Sequence, residues 1–147
     1  SSDLEILQLR RQDLDFTNSF IHVDGKMGKR VAYMDDTVKT MLERIAPQQP
    51  SEFIFSNKGK PITQGGLRYT FAKAVSILGL NDGITDRRYK VVFHTLRHTF
   101  CTEMAKAGMN PKALQYIMGH KDIKMTLGYY AHMDGCTAAE EMRRVAA

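Results

Sequence analysis

The chain is short of several things, and each shortage removes a class of protein. It holds two cysteines in 147 residues, Cys101 and Cys136. They form neither a dense framework nor a C-x-x-C pair, so they read as two free thiols in a reducing compartment, the cytoplasm. No stretch approaches the roughly 20 apolar residues that a membrane-spanning helix needs, so no membrane partner is expected. The opening SSDLEILQLRR lacks the basic segment and apolar run of a signal peptide. There is no Gly-rich phosphate loop, since SNKGKPIT has the wrong spacing, and nucleoside triphosphate use is not expected. No acidic cluster suggests a two-metal nuclease. His94 and His98 stand four apart and share a helix face, which could be half of a zinc site. The zinc-hydrolase motif needs a Glu directly after its first His, and here that residue is Thr95. Internal repeats and low-complexity segments are also missing.

What remains is 43% hydrophobic, enough for one compact domain over residues 1–147 with a real core. Lysine and arginine number 21 against 16 acids, a net charge of +5 with a pI near 9.3. That balance hints weakly at a polyanionic partner. The chain opens on what reads as the body of a helix, DLEILQL, as though cut from something longer.

The apolar spacing predicts the elements. A helix covers residues 3–9. Two short β-runs, Phe20 to Val23 and Val31 to Met34, flank the turn residues DGKMGK. Val38, Met41, Leu42 and Ile45 mark a helix that Asp35 or Asp36 can cap and Pro47 follows. Phe53 to Phe55 reads as a short strand. A helix runs from about Thr63 to Leu78, and a loop follows it. Four closely spaced helices come next: Thr95 to Ala107, stopping at Gly108; one opened by Asn110 and Pro111; Asp122 to Tyr130; and one starting at Thr137, which has capping-box spacing to Glu140. The expected class is α+β, mostly α-helical, with a small antiparallel three-stranded sheet near the N-terminus.

Four of the five histidines gather in two stretches, HTLRHTF (94–100) and GHKDIKMTLGYYAHM (119–133), with an arginine and a tyrosine pair. A metal-free phosphodiester exchange needs these side-chain types. Arginine neutralises charge on the phosphate oxygens bidentately. A tyrosine hydroxyl attacks and stores the bond energy as a phosphotyrosine. An acid such as lysine protonates the leaving oxygen, and histidines move protons or orient the phosphate. The same residues would also suit a core that buries both rings and tolerates two histidines. The inventory alone permits the chemistry without diagnosing it.

HTLRHTF resembles the H-x-x-R-H signature of the tyrosine recombinases, the phage-integrase family. MGHKDIKMTLGYYAHM is similar to that family's second box, a Leu-Gly-His followed about ten residues on by Y-x-H, with Met118 in place of leucine. LEILQLRRQDLDF resembles its SELLxLxWxDID segment, and KMGKRVAYMDD its hairpin KxGKxRxVPL. The matches keep family order from about residue 3 to residue 133. The two C-terminal boxes are highly specific, whereas the hairpin alone would be weak.

The resemblance implies the catalytic-domain fold of that family and metal- and ATP-independent strand cleavage and rejoining through a 3′-phosphotyrosyl intermediate, with no cofactor. Tyr130 aligns with the nucleophile, in Tyr130-Ala131-His132, and Tyr129 is the fallback. Arg97 would clamp the scissile phosphate, His94 would take part in proton transfer, and His120 would bond the phosphate. His98 would support the site. Lys26 would protonate the leaving 5′-oxygen, with Lys29 its rival and a solvated turn lysine the plain alternative. Double-stranded DNA is the implied partner, with phosphate contacts from Lys29, Arg30 and Arg88, and also Arg87 and Lys90. Other protomers join on DNA as a tetramer, while the chain alone is expected to be a monomer.

One departure stands out. The family places another phosphate-clamping arginine three residues before the acid of SELL. That acid is Glu5, and three residues earlier stands Ser2. Either the chain begins just past the arginine, or the arginine is replaced. The resemblance also implies an N-terminal DNA-binding domain that would precede residue 1. The chain alone is therefore expected to bind DNA weakly and to recombine poorly. Two alternatives stay open: a catalytically inactive DNA-binding regulatory module of the same fold, and a type IB topoisomerase-like enzyme.

Overall fold

A computed structural model of the chain describes residues 2–25, 28–131 and 135–147, so Lys26 and His132 lie outside the described residues. The chain divides into two compact units, Ser1–Arg97 and His98–Ala147.

The first unit opens with α1 (Ser2–Leu7) and a 3₁₀ turn at Arg11–Asp13. An antiparallel sheet of order β1-β2-β3 follows, made of Leu14–Asp15, Phe20–Gly25 and Gly28–Tyr33. Its register pairs Leu14 with Ile21, Phe20 with Tyr33 and Gly25 with Gly28. Along β2, exposure alternates residue by residue, with Ile21 and Val23 turned inward and Phe20, His22 and Asp24 outward, as the pleat requires. Helix α2 (Asp36–Ile45) starts where Asp35 accepts a hydrogen bond from the Val38 amide at 2.8 Å. The core beneath the sheet consists of Leu9, Leu14, Met34, Leu42 and Ile54.

The expected strand at Phe53 to Phe55 does not form. Phe53 makes only an isolated bridge to Arg10, and Ile54 fills the core instead. The Ile54 amide donates to the Leu9 carbonyl, and the Arg10 guanidinium lies 3.9 Å over the Phe53 ring. The pairing falls later, between the two-residue strands β4 (Ser56–Asn57) and β5 (Lys60–Pro61). Helix α3 (Gln64–Ile77) is capped by Thr63. A 3₁₀ turn at Arg87–Tyr89 precedes α4 (Phe93–Lys106), within which the two units divide.

The second unit holds the remainder of α4, then α5 (Pro111–Met118), α6 (Ile123–Leu127), a 3₁₀ turn at Gly128–Tyr130 and α7 (Gly135–Ala146). Asn110 caps α5, its Oδ1 accepting from the Lys112 amide at 2.9 Å, and Pro111 takes the first helical position. Helix α7 begins at Gly135, so Thr137 lies inside it rather than at its cap. The third expected helix likewise ends early. It stops at Leu127, and both tyrosines sit on the 3₁₀ turn. Among the described residues no helix is long and apolar enough to cross a membrane.

The core of this unit is small: Cys101, Leu114 and Met118, with Met104, Met109 and both tyrosines packed against them. Leu114 has no exposed surface. Leu114→Ala should therefore cost about 2–5 kcal/mol, read as a lower denaturant midpoint in equilibrium unfolding. A midpoint within error of the parent would mean that this cluster contributes little to stability.

Candidate active site

Two residues of the first box open α4 in the first unit. His94 is exposed and Arg97 is half-buried. The start of this helix is held from two sides. The Val92 amide donates to the Thr95 hydroxyl at 3.0 Å. Just before it, the Asn81 side chain grips Val91, accepting from its amide at 2.7 Å and donating to its carbonyl at 3.1 Å. The Phe93 ring meets Phe71 of α3 edge-on, with centroids 5.5 Å apart. A cavity of about 630 Å³ lies alongside, lined by Phe71, Val75, Lys90 and His94 among others. The backbone carrying His94 and Arg97 is thus tied to its surroundings.

In the second unit, α5 ends at Gly119 in the left-handed conformation, with φ of +61°, which glycine adopts without strain. That turn sends His120 inward, where it is only 8% exposed. Its Nδ1 lies 2.8 Å from the hydroxyl of the fully buried Thr126, and its amide donates to the Gln115 carbonyl. Thr126 belongs to α6, and the tyrosine turn follows directly. His120 and the tyrosine pair are therefore joined through one short helix.

The two tyrosines differ. The Tyr130 hydroxyl donates to the Met109 carbonyl at 2.5 Å, and its ring is half-buried. Burial, and secondarily the neighbouring Cys101 thiol, raise its pKa above the ordinary 10.0. The Tyr129 hydroxyl lies 2.6 Å from His98 Nδ1. A hydroxyl beside an imidazole is an arrangement that activates a nucleophile. Attack by Tyr130, in contrast, requires it to leave Met109.

The raised pKa of Tyr130 has a definite sign for stability. Protonated phenol is favoured by the fold, so its contribution is complete below the unfolded value of about 10 and is lost as pH rises through the higher folded value. In an ultraviolet difference titration, the signal removed by Tyr130→Phe should appear above pH 10. A Tyr130 signal below the ordinary range would contradict this environment.

The expected phosphate contacts fare differently. Arg88 is 82% exposed and forks onto Asp86, with Nη2 to Oδ2 at 2.7 Å. These bonds hold the Asp86 carboxyl below its usual range. An exposed pair of this kind is screened by salt, and a phosphate can compete for it. Lys29 is exposed on β3. Arg30, expected among the phosphate contacts, meets Glu5 of α1 in this structure. Its two guanidinium nitrogens reach the carboxylate at 2.7 and 3.3 Å. Thr126, Met109 and this engaged Glu5 carry no local signal that marks them as partners of the site. Their pairings join residues 6, 21 and 25 positions apart.

Fold and family together define the class, a tyrosine recombinase catalytic domain. The chain matches the phage integrase family over residues 4–135 and belongs to that family. It is 35% identical to the transposase of transposon Tn916 from Enterococcus faecalis, over 90% of this chain and 39% of that protein. It is 32% identical to tyrosine recombinase XerC of Staphylococcus saprophyticus, over 96% of this chain and 46% of the relative. Its fold matches the Tn1549 transposon integrase in complex with transposon right-end DNA, with a TM-score of 0.78 at 34% identity, covering 97% of this chain and 54% of that one. The chain spans less than half the length of these curated relatives.

Proposed function

We propose that the chain cleaves and rejoins double-stranded DNA as the catalytic part of a site-specific recombinase or integrase, working in the cytoplasm with other protomers assembled on DNA. The observation that carries this is buried His120, its Nδ1 occupied by Thr126, one short helix away from Tyr130. An imidazole whose ring is held in place in this way suits a positioned group that bonds a phosphate better than a freely turning, solvated one. In the reaction, the Tyr130 oxygen attacks phosphorus while its proton passes to His94. The P–O5′ bond breaks, and its electron pair stays on the 5′-oxygen, which takes a proton from Lys26. Arg97 and His120 neutralise the added charge. The 5′-hydroxyl of a second strand reverses the steps. One phosphodiester replaces another, so no energy source is required. Lys29 and Arg88 supply phosphate contacts.

The Tyr129–His98 contact favours a second reading, in which Tyr129 is the nucleophile. A nicked suicide substrate tests the whole proposal. The short fragment between the scissile phosphate and the nick, which carries the freed 5′-hydroxyl, diffuses away and leaves the adduct trapped, so that it survives denaturation and migrates as protein-linked DNA. No adduct from the intact protein on its own site would reduce it to a DNA-binding module. Relaxation of supercoiled DNA without exchange between sites would make it topoisomerase-like.

A further inference from the structure

The turn that carries the tyrosine pair is short, and its two hydroxyls are held at different places in the second unit. It follows α6 directly and has three residues, Gly128–Tyr130. Among the described residues nothing stands within 4 Å of a Cβ added at Gly128, so no neighbour packs on the turn there. The Tyr130 hydroxyl donates to the Met109 carbonyl at 2.5 Å, and the Tyr129 hydroxyl lies 2.6 Å from Nδ1 of His98 on α4. The rings of Tyr129 and His98 lean together, with centroids 5.9 Å apart and planes tilted by 44°. Both tyrosines pack against the cluster of Cys101, Leu114 and Met118. The two bonds have different fates in cleavage. For Tyr130 to attack, its bond to Met109 must break. The bond from Tyr129 can stay.

We propose that Tyr129 and His98 are positioning residues for the nucleophile: their bond keeps the turn on α4 while Tyr130 swings away from Met109. This rests on the cleavage reading above, with Tyr130 as the attacking group. Delivery of a nucleophile depends on where its backbone stands, and a misplacement of about 1 Å can cost about 10²-fold in rate. The brace controls part of that factor. His98 is exposed, so water competes for its Nδ1, and the bond has the net worth of an ordinary one, about 3–10-fold in an equilibrium. The Tyr129 ring is half-buried and already placed, so little further ordering opposes the bond. Tyr129 thereby serves its neighbour without touching the phosphate.

A double-mutant cycle on the cleavage rate separates this role from a merely structural one. Adduct formation in a single turnover, on saturating nicked DNA, is measured in the intact protein for Tyr129→Phe, His98→Ala and the double variant. Each single substitution should lower the rate constant about 3–10-fold, and the double variant should be no slower than the slower single one, because both remove the same bond. His98→Asn keeps a hydrogen-bonding atom as many bonds from Cβ as Nδ1 is. It should regain most of the rate when Tyr129 is present and none of it beside Tyr129→Phe. A loss of folded protein lowers the amount of adduct and leaves the rate constant, so it is read separately. Losses that multiply in the double variant, no rescue by His98→Asn, or single-variant rates within error of the parent overturn the brace while the cleavage reading stands. An adduct lost outright in Tyr129→Phe and kept in Tyr130→Phe makes Tyr129 the nucleophile, and the brace falls with the Tyr130 assignment. No adduct from the parent defeats the cleavage reading itself, and the brace with it.

Discussion

Tyr130→Phe is expected to abolish the covalent protein–DNA product on a nicked substrate while leaving DNA affinity unchanged. Phenylalanine keeps the ring that packs against Cys101, Leu114 and Met118 and removes only the hydroxyl. The stability change should be small, on the order of 0.5–1.5 kcal/mol for the lost bond to Met109. The chemical change is total, because no other atom of that residue can form the ester. Tyr129→Phe is the comparison. It removes the bond to His98 and should retain the adduct. The reverse pattern, with the adduct lost in Tyr129→Phe and kept in Tyr130→Phe, would make Tyr129 the nucleophile. The competition is real because each tyrosine has one advantage. Tyr129 already touches an imidazole, whereas Tyr130 stands in the Y-x-H context. The raised pKa of Tyr130 adds a constraint. At pH 7 even an ordinary phenol is ionised only to about one part in a thousand. In the position it holds against Met109, burial lowers that fraction further.

Arg97→Ala should slow adduct formation by about 10²–10³-fold, the loss typical of a donor aimed at charge that develops during reaction. The added charge appears on the non-bridging oxygens, and a planar guanidinium can meet two of them at once. Arg97→Lys keeps the charge but loses the fork, so it should recover only part of the rate. The loss should fall on the single-turnover rate at saturating DNA. A defect confined to DNA affinity would instead make Arg97 one of many backbone contacts. The position in the chain sharpens the expectation. Arg97 lies one turn after His94 on a helix whose start is pinned by Asn81, Thr95 and Phe71, so little slack is available for another residue to substitute.

Much of the architecture could be read from local chemistry. Asn110-Pro111 opens a helix because the carboxamide accepts orphan amides and proline lacks one, and both facts hold without tertiary context. The antiparallel pair β2–β3 likewise lies where two short β-runs flank DGKMGK. Reading failed where an apolar run served packing rather than pairing. Phe53 to Phe55 has strand composition, yet Ile54 is consumed by the core and the ladder forms in the polar residues after it. The helix expected to reach Tyr130 tightens at Gly128 into a 3₁₀ turn, and the capping signal at Thr137 lost to a start two residues earlier. For the site, the family resemblance supplied the proposed set, His94, Arg97, His120, Lys26 and Tyr130, with Tyr129 as the fallback. What each touches could not be read. Glu5 meets Arg30, and His98 meets Tyr129, only after the chain has folded.

The partner chosen for His120 has a lasting effect on how that ring can behave. A threonine hydroxyl rotates, so it gives a hydrogen to a bare Nδ1 or takes one from a protonated Nδ1 with equal ease. A carboxylate there would commit the ring to one tautomer and favour the cation. Thr126 is an ambidextrous neighbour, under which the imidazole can pass through either neutral form or the charged one and never be left without that contact.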